Sequence, residues 1–147
     1  MRTQLKVRRN DKQALLAKMK IIQGWNGKMS EDEKQVLSLF HWLSLDWLKR
    51  TANRDAMMNL VFVCNIALIL ANKGYPRNYM GENNEDFATV LTHLKQAIER
   101  GKKTGSWALN GELIMKMPAI LALHDRQLEE VSRKVYESVN RYVGENA

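Results

Sequence analysis

Apolar residues recur with the period of an α-helix along most of the chain. The clearest stripe begins at Phe87 and follows the spacing i, i+3, i+4, i+7 and i+11 to Ile98, which is typical of a helix with one buried face. A second stripe runs from Leu113 to Leu128 and continues to Tyr142. No repeat of about 20–50 residues and no Pro/Ser-rich linker divides the chain. We therefore predict an all-α protein, a single compact bundle of five to six helices.

Capping signals predict where these helices begin and end. Ser30 followed by Glu33 is a capping-box sequence, and the intervening carboxylates favour the positive end of a helix dipole. Further predicted starts are Asn10, Thr51 or Asn53, Asn84, Asn110 and Ser132. Predicted ends are Gly74 and Gly101. Pro118 is expected to kink the helix that begins after Asn110, or to divide it in two.

The most apolar segment predicts the central helix of the bundle. It runs from Ala56 to Ala71 and is interrupted by Asn59 and Asn65. A membrane-spanning helix needs about 20 largely apolar residues. This stretch is shorter and contains two amides, so we expect a buried helix and no membrane contact.

The preceding helix, 36–48, is apolar on more than one face. Val36, Phe40, Leu43 and Trp47 recur at helical spacing, and five more apolar residues widen the stripe. A surface of that width has more apolar area than one face of a bundle needs. Burial in a homodimer is one expected explanation.

The positive charge is concentrated at the N-terminus. The formal net charge is +7, and residues 1–20 carry seven lysines and arginines against one aspartate, so the rest of the chain is nearly neutral. We divide the chain into a basic arm, 1–9, and a helical domain, 10–147. The residues expected to contact phosphates of DNA or RNA are Arg2, Lys6, Arg8, Arg9 and Lys12. The alternative is a solvated helix end whose charges only confer solubility.

A second basic group precedes a tryptophan. Arg100, Lys102 and Lys103 lead into Thr104-Gly105-Ser106-Trp107. A cationic loop beside an aromatic ring suits phosphate contact and stacking on an unpaired base. Alternatively, Trp107 holds the loop against the bundle. The lysines and arginine join the candidate nucleic-acid site.

The loop 75–80 collects residue types that are enriched at protein–protein interfaces. Tyr75, Arg77 and Tyr79 are the candidate contacts for a protein partner, encoded by a host or a phage. The alternative is a loop whose tyrosines fold back onto the core. A protein adaptor, or an inhibitor of a host complex such as a defence system, is the second functional hypothesis.

Motifs for catalysis, cofactors and metals are missing from the sequence. It contains no phosphate-binding glycine motif, and its three histidines never take the helical spacings of metal ligands. His124 lies on an apolar stripe and predicts a histidine at the core edge. Cys64 has apolar neighbours, which predict burial and an unreactive thiol. We expect a non-enzymatic protein with no cofactor, no metal and no catalytic residue.

The final third resembles small helical proteins of unknown role in phages and prophages. The resemblance rests on Thr104-Gly105-Ser106-Trp107, Glu112-Leu113 and Leu123-His124-Asp125-x-Gln127-Leu128. It implies a small accessory protein in the cytoplasm of a bacterial host. Together with the charge distribution, it makes nucleic-acid binding through the basic arm the leading hypothesis.

Overall fold

The computed structural model describes residues 12–13 and 27–146. The predicted arm and the helix predicted to begin at Asn10 lie outside these residues, apart from Lys12 and Gln13. The described part forms five helices: α1 (Glu31–Thr51), α2 (Arg54–Asn72), α3 (Asn84–Thr104), α4 (Gly111–Glu130) and α5 (Arg133–Glu145). Within that part no β-strand forms, and Lys28 and Ser132 make one isolated antiparallel bridge. The prediction of an all-α bundle is confirmed.

Helix α2 is the centre of the bundle, as its composition predicts. It contacts each of the other four helices, and its residues belong to both of the apolar clusters that form the core. Ala56, Met57, Leu60, Val63 and Ala67 have no exposed surface. By length and hydropathy alone α2 also qualifies as a candidate membrane span. In this fold its apolar side chains pack against neighbouring helices.

Most predicted helix starts are confirmed by capping hydrogen bonds. Ser30 Oγ accepts from the N–H of Glu33 at 3.1 Å, and the Glu33 carboxylate accepts from the N–H of Ser30 at 3.1 Å. These bonds complete the capping box of α1. Three further side chains accept a helix N–H at the predicted positions: Asn53, Asn110 and Ser132. Helix α3 begins at Asn84, but its cap is Asn83, which makes no side-chain capping bond.

One predicted helix boundary is wrong, and one of the two alternatives predicted at Pro118, division of the helix, does not occur. Helix α3 does not end at Gly101. It continues to Thr104 and ends at Gly105, whose φ of 76° lies in the left-handed region that glycine adopts without strain. Helix α4 runs unbroken through Pro118. Met117 and Ile120, on either side of the proline, are fully buried, so core packing holds the helix together where local propensity would interrupt it.

Candidate nucleic-acid interface and buried polar layer

Basic side chains from three helix ends meet at one end of the bundle. Helix α1 ends in Lys49 and Arg50, and α2 begins only three residues later at Arg54. The end of α3 lies beside this turn, because the Arg54 guanidinium is 5.8 Å from the ring centroid of Trp107 and Trp107 packs against Gly101 of α3. We call the exposed residues gathered there the basic pole: Lys49, Arg54, Arg100, Lys102 and Lys103.

The surroundings of the basic pole leave its positive charge dominant. Arg50 is paired with Asp46 at 3.0 Å, and the pole's own turns carry the carboxylates of Asp55 and Glu99. Arg100 donates to the backbone carbonyl of Ala108, which holds its guanidinium over the loop after α3. Lysines in the last turn of a helix also stabilise that helix through its dipole. The pole therefore combines a helix-stabilising placement with a cationic surface that can contact phosphate.

Trp107 holds the loop against the bundle. Its indole is half-buried and packs on the main core cluster. The six-membered ring lies directly over Gly101, so that a Cβ at that position would overlap the ring. This packing confirms the second of the two interpretations of Trp107. The packed face of the ring is part of the fold, and the candidate site is therefore built from the basic side chains around it.

Replacing Gly101 with alanine is expected to destabilise the protein by up to about 2 kcal/mol. The added methyl group overpacks against Trp107, which outweighs the gain of about 1 kcal/mol in helix propensity. Chemical denaturation and near-UV circular dichroism would measure the loss. Gly111→Ala is the matched control, since nothing lies within 4 Å of a Cβ there. Equal stability of the two variants would contradict the packing described here.

Lys12 lies against a different part of α1. Its ammonium group is 4.3 Å from the centroid of the Phe40 ring. Phe40 precedes Lys49 of the basic pole by nine residues in α1. Burial lowers the pKa of the Lys12 amine to about 8. Lys12 therefore lies apart from the basic pole, although the sequence grouped it with the arm. The other predicted arm contacts, Arg2, Lys6, Arg8 and Arg9, lie outside the described residues.

The tyrosines of the 75–80 loop face the core. Tyr75 packs on the smaller apolar cluster and Tyr79 on the larger one. The Tyr79 hydroxyl accepts from the N–H of Asn83 at 2.9 Å. The N–H of Arg77 donates to the Glu130 carboxylate, which ties the loop to the end of α4, while its side chain is exposed. Of the three predicted partner contacts, only the Arg77 side chain projects into solvent.

A layer of buried polar side chains lies between α1, α4 and α5. We call it the buried polar layer, and its members are Glu33, His41, His124, Gln127, Arg133 and Tyr136. The Gln127 amide nitrogen donates to the carbonyls of Ala67 and Tyr75, at 2.9 and 3.1 Å. The oxygen of the same amide lies 3.0 Å from His124 Nδ1. Because an amide oxygen can only accept a hydrogen bond, Nδ1 must be the protonated ring nitrogen that donates it. His124 Nε2 is left to accept from the Tyr136 hydroxyl at 3.4 Å.

The two histidines of this layer are held in the neutral form. Their ring centroids are 5.2 Å apart, and both residues are buried. Burial lowers the pKa of His124 to about 4. Burial lowers the pKa of His41 well below its usual range, and repulsion from a protonated His124 and from the Lys12 ammonium acts in the same direction. His41 Nδ1 is buried with no hydrogen-bond partner among the described residues. This arrangement opposes protonation of both rings.

An ion pair joins the N-terminal ends of α1 and α5 inside the protein. The Arg133 guanidinium donates to both oxygens of the Glu33 carboxylate, with Nε 3.2 Å from Oε2. Both side chains are almost completely buried. The backbone supports the pair, because the Arg133 N–H donates to the carbonyl of Gly27 at 3.0 Å. The Glu33 carboxylate therefore serves the capping box and a tertiary contact at once.

The remaining reactive side chains are placed as structural groups. Cys64 is buried as predicted, burial raises the pKa of its thiol, and the sulfur contacts Met117 Sδ at 3.5 Å. His93 contacts Glu112 and Asn110 at the surface of α3 and α4. Within residues 12–13 and 27–146, no group of three or more histidine, cysteine or acidic side chains is placed to hold a metal ion.

The comparisons with known proteins return no relative. No family model, no curated protein and no solved structure matches this chain.

Sequence reasoning missed two features of the site. Lys49 and Arg54 were not singled out, because each belongs to a different helix and neither forms a charge cluster by itself. Their position on either side of the short turn after α1 was the available signal. The pairing of His41 with His124 is the second feature, since the two residues are 83 positions apart and no spacing rule connects them.

Proposed function

We propose that this protein is a non-enzymatic accessory protein that binds nucleic acid through its phosphates. The observation that carries the proposal is the convergence of helix ends at the basic pole, where the Arg54 guanidinium lies 5.8 Å from the Trp107 ring centroid and the helix ends carry the exposed lysines Lys49, Lys102 and Lys103. Lysine and arginine bind the phosphate backbone electrostatically, independently of base sequence. The resemblance of the final third to phage-encoded proteins is consistent with such an accessory role.

The charge of the N-terminal segment supports the same function. Residues 1–20 carry six of the seven net positive charges of the chain. An arm of this charge adds phosphate contacts to those of the basic pole, wherever it attaches to the nucleic acid. The proposal therefore has two parts, the arm and the pole, and a separate variant tests each of them.

The pole is tested by removing three exposed lysines together. We expect K49A/K102A/K103A to weaken binding to labelled DNA and RNA and to flatten the slope of log affinity against log salt by about 3 for duplex DNA. Each lysine that contacts a phosphate contributes about one counterion to that slope. Fluorescence anisotropy at low and near-physiological salt, with single- and double-stranded polymers, measures both quantities.

The matched control removes the same charge from the opposite end of the bundle. Lys28 precedes α1, Lys73 caps α2 and Lys134 is in the first turn of α5, and all three are exposed. K28A/K73A/K134A should keep the parental affinity and slope. Equal effects of the two triple variants would exclude the pole as the interface. The variant R2A/K6A/R8A/R9A tests the arm in the same way, and no binding by the parent protein would overturn the proposal.

A further inference from the structure

The outward face of α1 has the spacing of a coiled-coil seam. Leu39 is 60% exposed and Leu43 is 54% exposed, which is unusual for leucines in the middle of a long helix. The residues that share this face follow one another at intervals of four and three: Asp32, Val36, Leu39, Leu43, Asp46 and Arg50. All are exposed except Val36, which is half-buried. Alternating steps of four and three keep a stripe on one side of a helix, where a partner helix can pack.

The charges at the two ends of this stripe are opposite. Asp32 lies at its start and Arg50 at its end, with the two leucines in the centre. An antiparallel copy of the same helix, related by a two-fold axis beside position 41, places Leu39 opposite the partner's Leu43. The same register places Asp32 opposite the partner's Arg50. A parallel pairing would instead bring like charges together.

We propose that two copies of this chain pair through α1 as an antiparallel two-helix seam. The pairing surface extends over the 21 residues of α1, which is about 30 Å at 1.5 Å per residue. Asp46 faces the partner's half-buried Val36 in this register, and its carboxylate keeps its own Arg50 as a counter-ion at 3.0 Å. The seam completes the burial of the apolar surface on α1.

Self-complementarity argues for a second copy as the occupant of this face. A two-fold interface requires that each residue and its opposite number match in both directions. In this register the Leu39–Leu43 pair and the Asp32–Arg50 pair match in both directions, and the third pair sets Asp46 against Val36. An unrelated partner would impose no such symmetry on a single stripe. A protein partner or another part of this chain on the stripe would give a monomer in the experiment below.

Oligomeric state measures the proposal directly. We expect the full-length protein to sediment as a dimer at micromolar concentration, and L39E/L43E to weaken dimerisation about tenfold or more, since four carboxylates would then meet at the seam. The control is M80E/M115E, which places the same charges at two exposed methionines outside α1. A monomer at all concentrations, or a dimer unaffected by L39E/L43E, overturns the proposal.

Charge reversal tests the antiparallel register. D32K and R50D should each weaken the dimer several-fold, because each places two like-charged pairs across the seam. The double variant D32K/R50D should recover most of the parental dissociation constant, since the opposite pairing is restored with reversed signs. Denaturant unfolding of each variant checks that the monomer fold is intact. Additive losses in the double variant would exclude this register.

Discussion

Arg133→Met is expected to lower the free energy of unfolding by about 3–5 kcal/mol, the usual cost of removing one partner of a buried ion pair. The guanidinium donates to both oxygens of Glu33, and neither side chain has appreciable contact with solvent. Without the arginine the carboxylate stays buried and keeps its capping contact with the N–H of Ser30. Urea denaturation at neutral pH measures the loss.

A double variant separates the cost of leaving one buried charge unpaired from the cost of changing the size and shape of the side chains. E33Q/R133M has no buried charge, and glutamine can still accept the N–H of Ser30 in the capping box. We expect it to be more stable than Arg133→Met alone, because exchanging a whole buried pair for neutral groups costs far less than leaving one charge unpaired. Lys116→Met is the surface control. It breaks a partly exposed 3.7 Å pair with Asp86 and should cost under about 1 kcal/mol.

If Arg133→Met were as stable as the control, the pair would not be holding the ends of α1 and α5 together. The same result would imply that water or another group compensates the Glu33 carboxylate.

Acidification below pH 6.5 is expected to destabilise the protein well before most carboxylates titrate. The pKa of His124 is about 4 in the folded chain, compared with 6.5 for an unperturbed histidine. Between these values the unfolded chain binds a proton that the folded chain does not, so stability falls as pH falls. The stabilisation is fully present above pH 6.5, and the loss for His124 alone approaches about 3 kcal/mol near pH 4.

His41 acts in the same direction, since its pKa is also lowered by burial and by its charged neighbours. Lys12 does not contribute to the pH dependence of the unfolding free energy below pH 6.5. Its pKa is about 8 when folded, so the folded and unfolded chains both carry its proton below pH 6.5.

Urea denaturation at a series of pH values from 7.5 to about 4.5 measures this dependence. His124→Phe should flatten the slope of unfolding free energy against pH, whatever its effect on stability at pH 7. An unchanged slope in His124→Phe would contradict the neutral, buried state of this ring.

The parts of the fold that could be predicted are those stabilised by contacts close in sequence. The capping box of Ser30 and Glu33 is made by residues three positions apart, so the sequence alone identifies the start of α1. The stripe from Phe87 to Ile98 likewise predicts which face of α3 is buried. The arm could be recognised from composition, because net charge needs no knowledge of the fold.

The failures share a physical cause, which is that contacts distant in sequence override local preference. Gly101 is a helix breaker by propensity, yet it lies within α3 because the Trp107 ring occupies the space where a side chain would be. Pro118 is another breaker, and the buried neighbours of α4 keep that helix continuous. Tyrosine is a residue type that is enriched at protein–protein interfaces, yet both tyrosines of the 75–80 loop pack on the core.

The sequence by itself determined that this chain is helical, where most of its helices begin, that the helix after Asn53 is central, and that its positive charge is concentrated at one terminus. Hydrogen bonds within one helical turn and the period of apolar residues encode these properties locally. Only the tertiary structure decided that Glu33 meets Arg133, that His41 meets His124, and that Arg54 meets Trp107. These groups are separated by between about 50 and 100 residues, and burial of the common core brings them together.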